Sequence, residues 1–327
     1  PQAQARPPLD RDGVLIMEFF HKKTSYPFMA TRKRWYMFSA ALILGSLLAL
    51  GIRGINFGID FTGGVVLELS FPQAADLENV RDSLDKAGYG DAVVQRFGTP
   101  RAVLVRMLPE EGTDNNVLGR KVLTAIQSEN PGVELRRTEV VGGQVGAELA
   151  EKGALAVLFT FFFIMLYVWA RFQWKLGVGA IVAALHDPII ILGFFAATQM
   201  TFDLPALAAI LAVIGYSLND TVVVFDRIRE RFVSMRKGTS EQVIDASINE
   251  TLSRTIMTSL TTMLTVFALL FFGGEILRGF STALTIGIVV GTYSSIYIAS
   301  ALALDLKLTA RDLLPVQKEK DAVDDMP

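Results

Sequence analysis

The chain has no cysteine, only two histidines and just 20% charged residues. Without thiols there is no disulfide framework, no thiolate nucleophile and no thiolate-held zinc or iron–sulfur site. The two histidines, His21 and His186, lack the companions a metal site needs. Lys and Arg total 31 against 33 Asp and Glu, so no charge excess points to a polyanion partner. GxSxG, HExxH and P-loop patterns are missing too, which leaves hydrolase and ATPase chemistry without visible residues. What abounds is apolar: 51% of the 327 residues are hydrophobic and mean hydropathy is +0.40, outside the range of ordinary water-soluble domains.

The apolar residues fall into six runs, at 35–52, 153–170, 176–202, 204–225, 255–274 and 279–304. Each suits a bilayer that asks for about 20 residues per helix. The first run begins past residue 34 with no small-residue cleavage pattern after it, so it reads as a retained span rather than a signal peptide. Basic residues crowd one side: seven in 1–34, two in 171–175, six in 226–254 and four in 305–327, against Arg278 alone in the short links opposite. That bias predicts cytoplasmic termini, a cytoplasmic amphipathic linker at 226–254, and an exported domain at 53–152. The polar tails at 1–13 and 315–327 read as disordered.

Within 53–152, period-two alternation predicts strands at 65–69, 92–97, 101–108 and 133–140, with helical periodicity at 74–87 and 117–128. The order βαββαβ predicts an α+β ferredoxin-like domain with helices on one face of an antiparallel sheet. It holds no histidine, and its acids read as a solvated helix surface, so a folded contact module is expected rather than an active site. Two glycine-rich flanks, Phe57-Gly58-Ile59-Asp60-Phe61-Thr62-Gly63-Gly64 and Val140-Val141-Gly142-Gly143-Gln144-Val145-Gly146, join it to the membrane. Asp60, Gly63, Gly64, Gly142 and Gly143 are the candidate hinge residues, with a pair of plain tight turns the equal alternative.

Ionisable groups inside spans cost roughly 2.5–3.5 kcal/mol on insertion scales and so call for a reason. Asp220 lies five residues before the end of the fourth run, and Arg254 stands at the same end of the fifth, within reach if the helices are antiparallel. Thr258, Thr261 and Thr265 continue a polar stripe from Arg254, Ser217, Asn219 and Thr221 flank Asp220, and Thr292 and Ser295 add hydroxyls from the sixth run. The expectation is that Asp220 binds and releases protons with Arg254 as counter-charge and the hydroxyls organising water; a static ion pair is the plainer alternative. His186-Asp187-Pro188 in the third run reads as a kink in which Asp187 serves freed backbone groups, in preference to a proton relay.

Four motifs carry a resemblance: the Phe57 to Gly64 stretch, Gly215-Tyr216-Ser217-Leu218-Asn219-Asp220-Thr221 running on to Glu230, Ser253-Arg254-Thr255, and Gly291-Thr292-Tyr293-Ser294-Ser295 running on to Ala299. In order and topological position, over about 33–306, they resemble the SecD/SecF protein-export family of the resistance-nodulation-division superfamily. The resemblance implies a bacterial inner-membrane protein that supplies half of a twelve-span assembly, completed by a SecD subunit and associated with the SecYEG channel and commonly YajC. It implies non-enzymatic, proton-motive-force-driven assistance to preprotein translocation, with protons as coupling ion and no cofactor. Asp220 and Arg254 fall on the family's proton-transport positions, and the external domain on one that engages emerging polypeptide. A passive assembly subunit and a small-molecule or lipid exporter of the superfamily are the alternatives. The absence of an initial Met points to processing, trimming or a piece of a fused chain.

Overall fold

The computed structural model describes residues 24–109, 114–235 and 238–313; both polar tails and His21 lie outside the described residues. Helix α1 (Arg32–Arg53) leads through the short α2 (Ile59–Thr62) to β1 (Gly64–Ser70), α3 (Leu77–Lys86), β2 (Val93–Phe97), β3 (Thr99–Met107), α4 (Asn115–Glu129) and β4 (Glu134–Val141). Helices α5 (Gly143–Arg171), α6 (Trp174–Thr198), α7 (Leu204–Ser234), α8 (Ser240–Phe272) and α9 (Arg278–Ser294) follow. Helix α9 runs through a π-helical turn, Ser295–Ala299, into α10 (Ser300–Asp305), and α11 (Ala310–Leu313) closes the described chain. Six helical stretches among the described residues are long and apolar enough to cross a membrane.

The four strands form one antiparallel sheet in the order β2-β3-β1-β4. Alternation decides its two faces. Val65, Leu67, Leu69, Val103 and Val105 point into a core closed by Val80 and Leu84 of α3 and Leu118, Val122 and Ile126 of α4. The intervening residues Val66, Glu68, Leu104, Arg106, Arg137 and Glu139 line a cleft of about 620 Å³ that separates the sheet from the 198–205 turn and from Arg278. Arg106 bridges to the membrane side, donating to Phe57 O at 2.6 Å and to Asn56 Oδ1 at 2.5 Å.

In the bundle α6, α7 and α9 form the centre, whereas α1, α5 and α8 are largely exposed along their apolar windows. Close approach of α7 and α9 depends on Gly287, where an added Cβ would lie 2.2 Å from Val213 Cγ2.

The amphipathic connection read at 226–254 consists, in its described residues, mainly of extensions of two spans. Helix α7 continues to Ser234, and α8 starts at Ser240 under a capping box between Thr239 and Gln242. Both extensions keep an apolar face, and Phe225, Ile228, Phe232, Val243, Ile244 and Ile248 bury it together with Phe28, Met29 and Leu308. Helix α5 likewise starts ten residues ahead of its apolar run, because its first turns pack against α2 rather than lipid.

Candidate functional site

Asp203 caps α7, its Oδ1 accepting the Ala206 N–H at 2.9 Å, and Pro205 supports the first turn. From there the helix carries Ser217, Asp220 and Thr221 into the bundle, each no more than 3% exposed. Thr221 Oγ1 donates to the Ser217 carbonyl at 3.1 Å. Asp220 Oδ2 is buried without a hydrogen-bond partner among the described residues. A carboxylate oxygen so placed is costly while charged, and taking up a proton removes that charge.

The expected ion pair is not made. Arg254 is exposed and makes no hydrogen bond or ion pair with Asp220. The reason is rotational: α8 presents Thr251 and Thr255 inward, which turns the next side chain, Arg254, outward. Thr255 Oγ1 is itself buried without a partner. The polar stripe divides in the same way. Thr258 and Thr261 are exposed on this chain and bond back to the carbonyls of Thr255 and Met257. Asn219 is exposed, on the side of α7 away from Asp220. Thr292 meets Ser259 of α8 at 2.7 Å, and Ser295 donates to the Thr292 carbonyl at 3.0 Å.

The polar groups that the fold does bring together centre on Asp187. Its Oδ2 accepts from Ser217 Oγ of α7 at 2.5 Å and from Ser294 Oγ of α9 at 3.1 Å, and its Oδ1 lies 2.9 Å from His186 Nδ1. His186 Nε2 shares a 2.5 Å hydrogen bond with Ser39 Oγ of α1. All five side chains are at most 4% exposed. This corrects the expectation that Asp187 serves backbone freed by Pro188. The group that a proline frees is the carbonyl of Ala184, an acceptor, which a carboxylate cannot satisfy. Sequence reasoning weighed His186 and Asp187 and named Ser294 among the hydroxyls of the sixth run, but missed Ser39; a serine in an otherwise apolar run was the available signal.

At the joint, Gly63 has φ +70°, and Gly64 φ +122°. An added Cβ on Gly63 would stand 2.7 Å from Gly143 Cα, and one on Gly146 would stand 2.5 Å from Gly63 N. The turn after α2 is thus packed backbone to backbone on the first turn of α5. Gly142, by contrast, has ordinary extended φ and open space around it. Asp60 reaches across to α7, its Oδ2 accepting the Leu204 N–H at 2.9 Å. Among the described residues no group of three or more His, Asp or Glu could hold a metal ion.

These features define a multi-pass helical membrane protein with an α+β domain inserted after its first span and carboxylates buried in its bundle. Comparison with known proteins is specific. Residues 121–309 match the family described as "Protein export membrane protein SecD/SecF, C-terminal", and residues 48–75 match the "SecD/SecF GG Motif". Protein translocase subunit SecF of Vibrio alginolyticus is 49% identical over 92% of this chain and 96% of its own length. Its counterpart in Pseudomonas aeruginosa is 52% identical over 89% and 94%. The crystal structure of SecDF from Thermus thermophilus superposes with a TM-score of 0.80 at 36% identity, covering 88% of this chain. This chain spans about two fifths of that longer one (39%). The chain belongs to the SecD/SecF protein-export family, and its function is that of a protein translocase subunit.

Proposed function

We propose that this subunit converts proton movement through the bacterial inner membrane into assistance for preprotein translocation, acting with a SecD partner beside the SecYEG channel and YajC. Protons are the coupling ion, no cofactor takes part, and the role is non-enzymatic. The observation that carries the reading is the Asp220 carboxyl, buried on a central helix of the bundle with one oxygen unpartnered among the described residues. Arg254 then works as a mobile counter-charge rather than a fixed partner: proton loss from Asp220 favours its inward swing, proton gain its release.

The domain at 64–141 supports the reading as the working part. Its antiparallel order and one-sided helices suit a ferredoxin-like fold, and both chain termini on the cytoplasmic side would place it outside the cell membrane. Its open sheet face, overhanging the membrane end of α7, offers a charged and apolar cleft to extended polypeptide.

The test is proton flux and translocation in reconstituted complexes. Asp220→Asn keeps the side chain's shape and removes its titration, so both activities should fall by at least tenfold. Unchanged proton-dependent translocation in that variant overturns the reading.

A further inference from the structure

Helices α7 and α8 run antiparallel on either side of a short connection, and one hydrogen bond marks their register: Tyr216 Oη donates to Ser259 Oγ at 3.5 Å. Positions four apart share a helix face. One turn nearer the connection, that register sets Asp220 against Thr255, and a second turn sets Val224 against Thr251. All four side chains are at most 8% exposed, as positions facing one another across a packed seam should be. Ser259 also meets Thr292 of α9, and the same step along that chain segment brings Ile296, which has no hydrogen-bonding side chain.

Thr255 differs from its neighbours on α8. A serine or threonine inside a helix commonly returns its hydroxyl to a carbonyl three or four residues earlier, and Ser247, Thr251, Thr258, Thr261 and Thr262 all do so. Thr255 Oγ1 makes no such bond, and it is buried without another partner among the described residues. Across the seam Asp220 Oδ2 is in the same condition. A donor and an acceptor, each stripped of water and each unsatisfied, thus lie at one depth on facing helices, and each is the kind of group the other lacks.

We propose that Thr255 is the positioning residue of Asp220, its hydroxyl donating to Oδ2 while the carboxyl is charged and leaving it when a proton is bound. This deepens the proton-coupling reading and rests on it for its consequence. A buried carboxylate held by a donor keeps its charge and its orientation in the seam, whereas the neutral acid has less need of one. The open contact between the two atoms suits the neutral form. Around Asp220 the packed helices bring Arg254 of α8, which is exposed, His186 and Asp187 of α6, joined to α7 through Ser217, and Tyr293 of α9, its ring 6.0 Å from that of His186; on α7 itself Tyr216 is one turn away. Arg171 of α5 and Lys175 of α6 are taken up by Asp226 and Asp312. None of these groups bonds to Asp220 Oδ2 among the described residues.

The Asp220 carboxyl can be read directly. In full-length protein in lipid nanodiscs, with aspartate carboxyl carbons labelled with carbon-13, the infrared spectrum of each variant taken against its own Asp220→Asn counterpart isolates the Asp220 band. At about pH 9, where carboxyls favour the charged form, Thr255→Val keeps the branched shape without the hydroxyl and should shift the carboxylate band, while Thr255→Ser should leave it in place. Thr251→Val, one turn away, removes a hydroxyl already bonded to its own helix and should leave the band in place as well. Proton-dependent translocation should fall about tenfold in Thr255→Val, the worth of one hydrogen bond to a charged group, and stay within about twofold of the parent in Thr255→Ser. Should Thr255→Val fail to fold, Thr255→Ala carries the same expectations. A band indifferent to loss of the Thr255 hydroxyl, or one that Thr251→Val moves equally, overturns the proposal. Because the band is read at equilibrium and without flux, failure of the Asp220→Asn flux test leaves this result standing, and the reverse.

Discussion

Asp60 and Leu204, 144 positions apart, are joined by a 2.9 Å hydrogen bond from the Leu204 N–H to the Asp60 carboxylate. The bond ties the joint of the inserted domain to the first turn of the helix that carries Asp220. It is reinforced by backbone bonds from Gly58 N to Phe202 O and from Phe202 N to Asn56 O, both 2.8 Å, and by the stacked rings of Phe61 and Phe202. A movement of the domain therefore has a short mechanical path to α7.

Asp60→Ala should remove a helix-capping acceptor worth about 1 kcal/mol, lowering the thermal unfolding midpoint, while Asp60→Asn should retain most of it. Translocation assays should show the Ala variant the more impaired, because one of the ties from the joint to α7 is lost.

The joint's glycines should differ sharply. Gly63→Ala combines a positive φ with a clash against Gly143, and Gly146→Ala drives a Cβ into the Gly63 backbone; each should lose roughly 1–3 kcal/mol and yield less folded protein. Gly142→Ala meets nothing within 4 Å and should stay within about 0.5 kcal/mol of the parent. Comparable loss at all three positions would show that this segment bends as a hinge rather than packing as a fixed joint.

Asp203, at the outer end of α7, has its carboxyl raised above the ordinary range, first by burial and further by the neighbouring charge of Asp60, against the pull of the Ala206 N–H. A raised acid favours the folded state while protonated, so this contribution is present below the ordinary carboxylate value and is lost as pH rises through the raised one. Asp203→Asn keeps the cap without the titration. Its unfolding temperature should gain on the parent's between pH 4 and 8; an advantage that does not change with pH would contradict the assignment.

Gly287→Ala should force α9 away from Val213 of α7, loosening the Ser217 and Ser294 bonds to Asp187, at about 1–3 kcal/mol. Gly215→Ala, on an open side of α7, is the matched control, with unfolding midpoints measured for both.

Much of this was legible along the chain. Long apolar runs announce themselves because crossing a bilayer is a condition on consecutive residues. Alternation at Val65, Leu67 and Leu69 announces a strand with one buried face. Asp220 was visible because an acid is rare in such a run. What could not be read was which way each helix is turned. Arg254 sits at the depth that antiparallel helices predict, yet one residue of rotation, with Thr255 inward, directs it out of the bundle. The end of α7 reads as part of an amphipathic linker, and that Phe225, Ile228 and Phe232 are buried within the bundle shows only once α8 supplies a partner.

Sequence alone determined six membrane-length helices, an inserted unit alternating strands and helices, and two acids inside the apolar runs, because each is a local property of composition and period. Tertiary structure alone decided which side chains meet: Asp187 with Ser217 and Ser294, His186 with Ser39, Asp60 with the start of α7. Those meetings depend on how closely helices far apart in the chain approach and how they are rotated, and that is set by where small residues such as Gly287 let two backbones touch.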